Sequence, residues 1–215
     1  MLQAKQTKLI KYCETHSSPH SNLLYELERE TYLKTLAPQM LSGQLQGRIL
    51  SMISQLKQPK TILEIGTFTG YATLCLAEGL VENGEIITIE ANPEVAYFIE
   101  KYKQKAGLEN QIINITGRAE AVIPTLNQTF DLAFIDAGKR DYAHHFDLVI
   151  DRMNPGGILL ADNVLWSGKV LQTPEQQDAD TQLLDAFNKK IQADDRIENI
   201  LLPIRDGLTV MRKKS

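Results

Sequence analysis

Apolar residues follow two patterns along the chain, and the change comes near residue 60. Before it they recur at helical spacing. In "SNLLYELERETYLKTL", Leu23, Leu24, Leu27, Tyr32, Leu33 and Leu36 return at intervals near three and four until Pro38 breaks the run, and a further helix is expected from about Gly43 to Gln58. From Thr61 the runs become short and rich in β-branched residues: "TILEIG", "EIITIE", "QIINIT", "DLAFID" and "GGILLAD". Amphipathic stretches of helix length, such as 69–81, 93–106 and 141–153, separate them, which predicts a parallel sheet with helices on both faces. The end departs from this alternation. "RIENILLPI" and "GLTVMRKK" have only a short "RDG" turn signal between them, so the last two strands should form an antiparallel hairpin at a sheet edge.

Length and composition narrow this picture without changing it. A chain of 215 residues, 43% hydrophobic and 23% charged, suits one soluble α/β domain with a sizeable core, divided into an N-terminal helical cap or lid (1–58) and a sheet core (59–215). A net charge of −4 gives no general attraction to nucleic acid or anionic membranes. No run approaches the roughly 18 apolar residues of a membrane span, and the first residues lack the apolar centre of a signal peptide, so a cytoplasmic protein is expected. The two cysteines, Cys13 and Cys75, stand too far apart in the chain for a CxxC-type metal pair and are read as reduced thiols.

The first candidate chemistry lies in "ILEIGTFTGYATLCLAEGL", a strand, a tight glycine turn and a helix, which is where open α/β sheets bind nucleotides. A dinucleotide wants G-x-G-x-x-G so that backbone can approach its pyrophosphate. Phe68 stands where the second glycine would be, which disfavours a nicotinamide oxidoreductase. A nucleoside ligand without phosphate and with an amino acid tail, such as S-adenosylmethionine, still fits: Glu64 offers a carboxylate to a cationic group, and Glu90, closing the second strand, offers one to ribose hydroxyls.

The second candidate is a cluster of oxygens. "DLAFID" ends on Asp136 and "GGILLAD" on Asp162, followed by Asn163, and strand tips of a parallel sheet open into the same crevice as the glycine loop. Carboxylates brought together need a shared proton or a cation, and an all-oxygen set suits a hard ion: Mg²⁺ first, with Mn²⁺ or Ca²⁺ as substitutes. The alternative is that each aspartate merely caps a following helix.

Taken together, "ILEIGTFTGYATL", "ITIEANPE", "FDLAFIDAGKRDY" and "ADNVLWSG" resemble the cation-dependent O-methyltransferases, the family of catechol and caffeoyl-CoA O-methyltransferases, over roughly residues 36 to 212. The resemblance implies a class I, Rossmann-like methyltransferase fold with a seven-stranded, mostly parallel sheet and S-adenosylmethionine as methyl donor. By position it implies Asp136, Asp162 and Asn163 as metal ligands and Lys139 as the base that removes the acceptor's proton. It further implies Met40, Ser42, Glu64, Gly66, Tyr71, Glu90, Asp136 and the turn Gly117, Arg118 and Ala119 as cofactor contacts. Two positions depart from the family pattern: Gly138 replaces an aspartate in the metal turn, and Ala72 replaces a serine after Tyr71. Without the resemblance, Lys139 would read as a solvated surface lysine.

The acceptor implied is a hydroxylated aromatic small molecule, catechol-like or phenolic, free or as an acyl-CoA, on a homodimeric enzyme. Some bacterial relatives methylate a hydroxyuridine in tRNA, and that alternative has only Lys5, Lys8, Lys11 and the terminal "MRKKS" as a basic patch. The adjacent His144 and His145 are not spaced to share a metal, Trp166 is either pocket wall or core, and Arg205 and Asp206 are expected to shape the last hairpin turn. Acceptor recognition is expected in the N-terminal helices and in "WSGKVLQTPEQQD".

Overall fold

A computed structural model describes residues 2–215, with side chains from Lys8 onward, so Lys5 lies outside the described side chains. Three helices come first: α1 (Leu2–Thr15), α2 (Asn22–Lys34) and α3 (Gly43–Lys57). The alternating part follows as β1 (Thr61–Ile65), α4 (Tyr71–Ala77), β2 (Glu85–Glu90), α5 (Ala96–Ala106), β3 (Ile112–Thr116), α6 (Ala119–Val122), β4 (Phe130–Ile135), α7 (Tyr142–Ile150) and β5 (Met153–Asp162). A helix α8 (Ala179–Ala193) then precedes β6 (Ile197–Leu202) and β7 (Leu208–Lys213). Among the described residues no helix is long and apolar enough to cross a membrane.

The seven strands lie in the order β3-β2-β1-β4-β5-β7-β6. The first five are parallel, and β7 runs antiparallel between β5 and β6, so the expected hairpin is present with β6 at the edge. Alternate residues of each strand feed opposite faces, as a period of two requires. Leu63, Ile65, Ile87, Ile89, Ala133 and Ile135 pack with Phe146, Leu184 and Phe187 of α7 and α8. Ile62, Ile86, Leu132, Phe134 and Leu160 pack on the other face with residues of α4 and α5.

Leu24, Leu27 and Leu50 belong to this second cluster, so α2 and α3 are built into the layer that covers the sheet. Burying a leucine in this way stabilises the fold by about 2 kcal/mol. The end of this apolar set behaves differently: Tyr32 and Leu33 on α2, and Leu36 just beyond it, face outward, and Thr31 takes the inner position. Its hydroxyl donates to Leu27 O (2.8 Å) and is hydrogen-bonded with the Thr69 hydroxyl (3.0 Å), which joins α2 to the glycine turn.

The sheet reverses its winding between β1 and β4. Loops after these neighbouring strands leave in opposite directions, and the crevice between them is where such sheets hold ligands.

Candidate active site

At that crevice the structure opens a cleft of about 1770 Å³. Its glycine turn is forced by contact. Gly66 has φ +98, and a Cβ there would lie 1.9 Å from the carbonyl oxygen of Asp136. Only glycine lets β1 leave the sheet so close to the end of β4. Backbone bonds hold the crossing: Gly66 N donates to Ile89 O (2.9 Å) and Asp136 N to Ile65 O (2.9 Å). Phe68 adopts φ +48 and donates its amide to Glu90 Oε2 (2.7 Å), while Asn92 N donates to Glu90 Oε1 (2.8 Å). Glu90 is thus fixed at the mouth of the cleft by two amides.

Of the cofactor contacts expected from the sequence, Met40, Ser42, Gly66, Tyr71, Glu90, Gly117, Arg118, Ala119 and Asp136 all line the cleft. Glu64 does not. It is fully buried under the turn, where the hydroxyls of Thr73 and Thr88 donate to Oε2 and Oε1 has no partner. Burial pushes its carboxyl up to about 8; the two threonine hydroxyls oppose the shift, and Asp136 and Glu90 add to it.

That shift has a consequence for stability. With a folded value of about 8 above an ordinary 4.5, Glu64 contributes most to the fold below pH 4.5, and the contribution is lost as pH rises through 8. Glu64→Gln is therefore expected to melt higher than wild type at pH 8 and to differ little at pH 4.5, a comparison that thermal unfolding across this range measures directly.

The strand tips gather the oxygen cluster. Lys139 lies at its centre with a side chain only 12% exposed, not solvated as an isolated reading of the sequence suggests. Its ammonium donates to Asn163 Oδ1 (2.7 Å), to the Tyr142 hydroxyl (2.6 Å) and more weakly to Asp136 Oδ1 (3.3 Å). Tyr142 in turn donates to Asp162 O (2.9 Å), so this buried tyrosine braces both the lysine and the end of β5. Asn163 turns its side chain inward from a left-handed backbone, φ +57.

Asp162 sits behind these groups, 2% exposed and off the cleft wall, with Oδ1 lacking any hydrogen-bond partner. Burial first and the nearby Asp136 second push its carboxyl up to about 6. An unsatisfied buried carboxylate oxygen beside a second carboxylate is costly unless something positive completes it.

Elsewhere on the wall, Glu120, Asp141 and His145 bring ligand-type atoms within 4.8 Å of one another. Arg118 supplies their positive charge, 2.8 Å from Glu120 and 3.8 Å from Asp141. Trp166 meets both expectations held for it, lining the cleft and packing on the core. Ser167, Gly168 and Leu171 of the expected recognition loop also line the cleft, and Cys75 is buried.

Three residues escaped the sequence reading. Tyr142 had a local signal, three residues after Lys139 on a helix start. Gln46 and Arg205 had none: Arg205, expected only to shape a turn, reaches 159 positions back to donate to Gln46 Oε1 (2.9 Å).

Comparison with known proteins agrees with this geometry. A family model described as O-methyltransferase matches residues 14–214. The chain is 37% identical over 161 residues to a catechol O-methyltransferase of Niastella koreensis, covering 73% of this chain and 72% of that one. It is 33% identical over 178 residues to a caffeoyl-CoA O-methyltransferase of Populus kitakamiensis, covering 78% and 76%. Among solved structures, the S-adenosylhomocysteine-bound methyltransferase PaMTH1 of Podospora anserina superposes with a TM-score of 0.91 at 31% identity, covering 100% of this chain and 97% of that one. A cleft at the switch point of a mixed seven-stranded sheet, on a chain so matched, places this protein in the S-adenosylmethionine-dependent O-methyltransferase family of catechol and caffeoyl-CoA type.

Proposed function

We propose that the enzyme methylates one hydroxyl of a catechol-like or phenolic small molecule, free or as an acyl-CoA ester, and that it needs a divalent cation held by Asp136, Asp162 and Asn163. The observation that carries this reading is the position of Lys139. Its ammonium already stands between Asp136 and Asn163 as a substitute cation, while Asp162 Oδ1 behind them lacks a partner. All three side chains offer oxygen, which fits Mg²⁺, Mn²⁺ or Ca²⁺. A divalent ion there would supply charge that favours ionisation of the acceptor hydroxyl and a template that orients it.

The remaining steps belong to the chain's own groups. Glu90 receives the ribose, the Gly117–Ala119 turn the adenine, and Met40, Ser42, Tyr71 and Asp136 the methionine end. Glu64, buried beneath the glycine turn and pushed toward its neutral form, supports that turn through Thr73 and Thr88. Lys139, braced by Tyr142, first releases one ammonium proton to water and then, as the neutral amine, takes the hydroxyl proton on Nζ. The acceptor oxygen then attacks the sulfonium methyl carbon, the carbon–sulfur bond breaks with its electrons left on sulfur, and S-adenosylhomocysteine departs. No covalent enzyme intermediate is required. The outward Leu33, Leu36, Met52 and Leu56 support pairing of two copies through the N-terminal helices.

The deciding experiment offers labelled S-adenosylmethionine with a panel of catechols, phenolic acids, their CoA esters and tRNA that carries the hydroxyuridine without its methyl group. Transfer to the phenolic members should disappear in EDTA and return with Mg²⁺; undiminished transfer in EDTA, or transfer to tRNA alone, would overturn the reading. On the best acceptor, Lys139→Met should lower kcat by about a hundredfold with little change in KM for the methyl donor.

A further inference from the structure

The loop that follows β5 is wound against its own preference. Trp166, Ser167 and Gly168 succeed one another at φ +49, +55 and +77, all in the left-handed region. Glycine rests there freely. A bulky aromatic residue rarely does, and Trp166 and Ser167 side by side in this conformation persist only where surrounding bonds hold them. All three residues line the cleft, and the Trp166 ring also packs on the core. The cleft wall here has a shape that the chain would leave if it were released.

What holds it comes from the turn between β6 and β7. The root of the loop is fixed from two sides: Asn188 Nδ2 of α8 donates to Val164 O (2.8 Å), while Val164 N donates to Gly207 O (3.2 Å) and Leu165 N to Asp206 O (2.9 Å). Inside the loop, Trp166 N donates to Asn163 O (3.3 Å) and Gly168 N to Leu165 O (2.9 Å), local bonds that shape the tip without tying it to another element. The tie is made by Ser167 N, which donates to the Asp206 carboxylate. Among the described residues it is the only hydrogen bond that joins Trp166, Ser167 or Gly168 to a distant part of the fold. An amide held by a carboxylate is one of the stronger hydrogen bonds in proteins, which suits it to oppose a strained backbone.

The turn itself cannot yield. Gly207, at φ +93, lies so close to the loop that a Cβ would come 2.5 Å from Leu165 Cγ and 2.8 Å from Leu165 N. On the other side Arg205 ties the turn to the N-terminal segment, donating to Leu41 O (3.1 Å) and to Gln46 Oε1 (2.9 Å). Asp206 is presented from a base that is anchored on both sides.

We propose that Asp206 is a positioning residue for the methyl acceptor: its carboxylate latches the Ser167 amide, keeps Trp166, Ser167 and Gly168 in their left-handed turn, and so sets the Trp166 ring as a wall for the acceptor. The inference rests on the phenolic acceptor proposed above, whose flat ring can pack against an indole. It adds the residue that keeps the indole in place. The donor end at Glu90 and Gly117 to Ala119 belongs to the tips of β2 and β3, on other strands than the latch, and should not respond to it.

The chain contains one tryptophan, so its fluorescence reports this ring alone. On the full chain, Asp206→Ala should move the emission to longer wavelength and make it more readily quenched by acrylamide, as the indole leaves the wall for water. The same variant should raise KM for the best phenolic acceptor by about tenfold, more than it lowers kcat, and leave S-adenosylhomocysteine affinity, measured by calorimetry, within about twofold of wild type. Asp206→Asn keeps an oxygen for the Ser167 amide and should return emission and KM close to wild type. If Asp206→Ala fails to fold, Asp206→Ser, whose hydroxyl ends one bond short of Oδ1, is read in its place. Unchanged emission, an acceptor KM within about twofold of wild type, or an equal loss of donor affinity overturns the inference. So does a defect in Asp206→Asn as large as that in Asp206→Ala, which would mean that the charge itself meets the acceptor. If wild type transfers methyl groups to no phenolic acceptor, the function proposed above fails and takes this inference with it. If transfer is seen and the variants behave as wild type, only the inference fails.

Discussion

Asp162→Asn is expected to lower methyl transfer on the order of a thousandfold while leaving the unliganded protein at least as stable as wild type. The two effects have opposite signs for one reason. Asp162 is a buried carboxylate beside Asp136 with one oxygen unpartnered, so without a cation its charge would be a burden on the fold. An amide of the same size removes the repulsion and opens no cavity. It also removes half of the negative charge that the two aspartates would offer a cation. Turnover at saturating Mg²⁺, paired with a melting curve without ligand, checks both. Full activity would show that the cation is held elsewhere, and a large loss of stability would show that the carboxylate serves the fold.

Much of this arrangement was legible in the order of residues. The apolar runs ending on Asp136 and Asp162 could be read because a strand's exit is local information, and a parallel sheet sends every such exit to one edge. The glycine turn was equally open to reading, since Gly66 and Gly70 mark a backbone that other residues disfavour. Depth was less accessible. Glu64 and Asp162 read as cleft carboxylates, but both lie beneath the wall. The strand register that decides which of two adjacent positions faces the crevice comes from pairing with β2, β4 and β7. Lys139 was similarly ambiguous, because its burial depends on Tyr142 and Asn163 closing around it.

Least legible were partnerships across the chain. Nothing near Arg205 announces Leu41, Ser42 and Gln46, which lie more than 150 residues away and meet it only after the hairpin is laid beside β5. Helix periodicity found α2 but could not assign its inner face: Leu33, and Leu36 just beyond the helix, point outward, and the inner place goes to Thr31, whose hydroxyl finds Thr69. In each case the deciding partner belonged to another element.

The other large effect concerns the crossing itself. Gly66→Ala is expected to yield a protein that either does not fold or loses more than about 3 kcal/mol, and that binds no S-adenosylhomocysteine. Two costs combine. The backbone at φ +98 lies outside the region alanine tolerates, and the added methyl would sit 1.9 Å from Asp136 O and 2.7 Å from its carbonyl carbon. The neighbour cannot withdraw, because Asp136 N is bonded to Ile65 O and Gly66 N to Ile89 O, so relief on one side breaks a sheet bond on the other. Gly156→Ala is the matched control: its φ is also positive, at +71, but a Cβ there meets nothing within 4 Å, so only backbone strain of about 1 kcal/mol should appear. Urea midpoints for the pair separate strain from collision. Equal midpoints would mean that β1 and β4 do not cross as closely as described, and the strand tips that gather Asp136, Lys139 and Asp162 would then lose the geometry on which their chemistry depends.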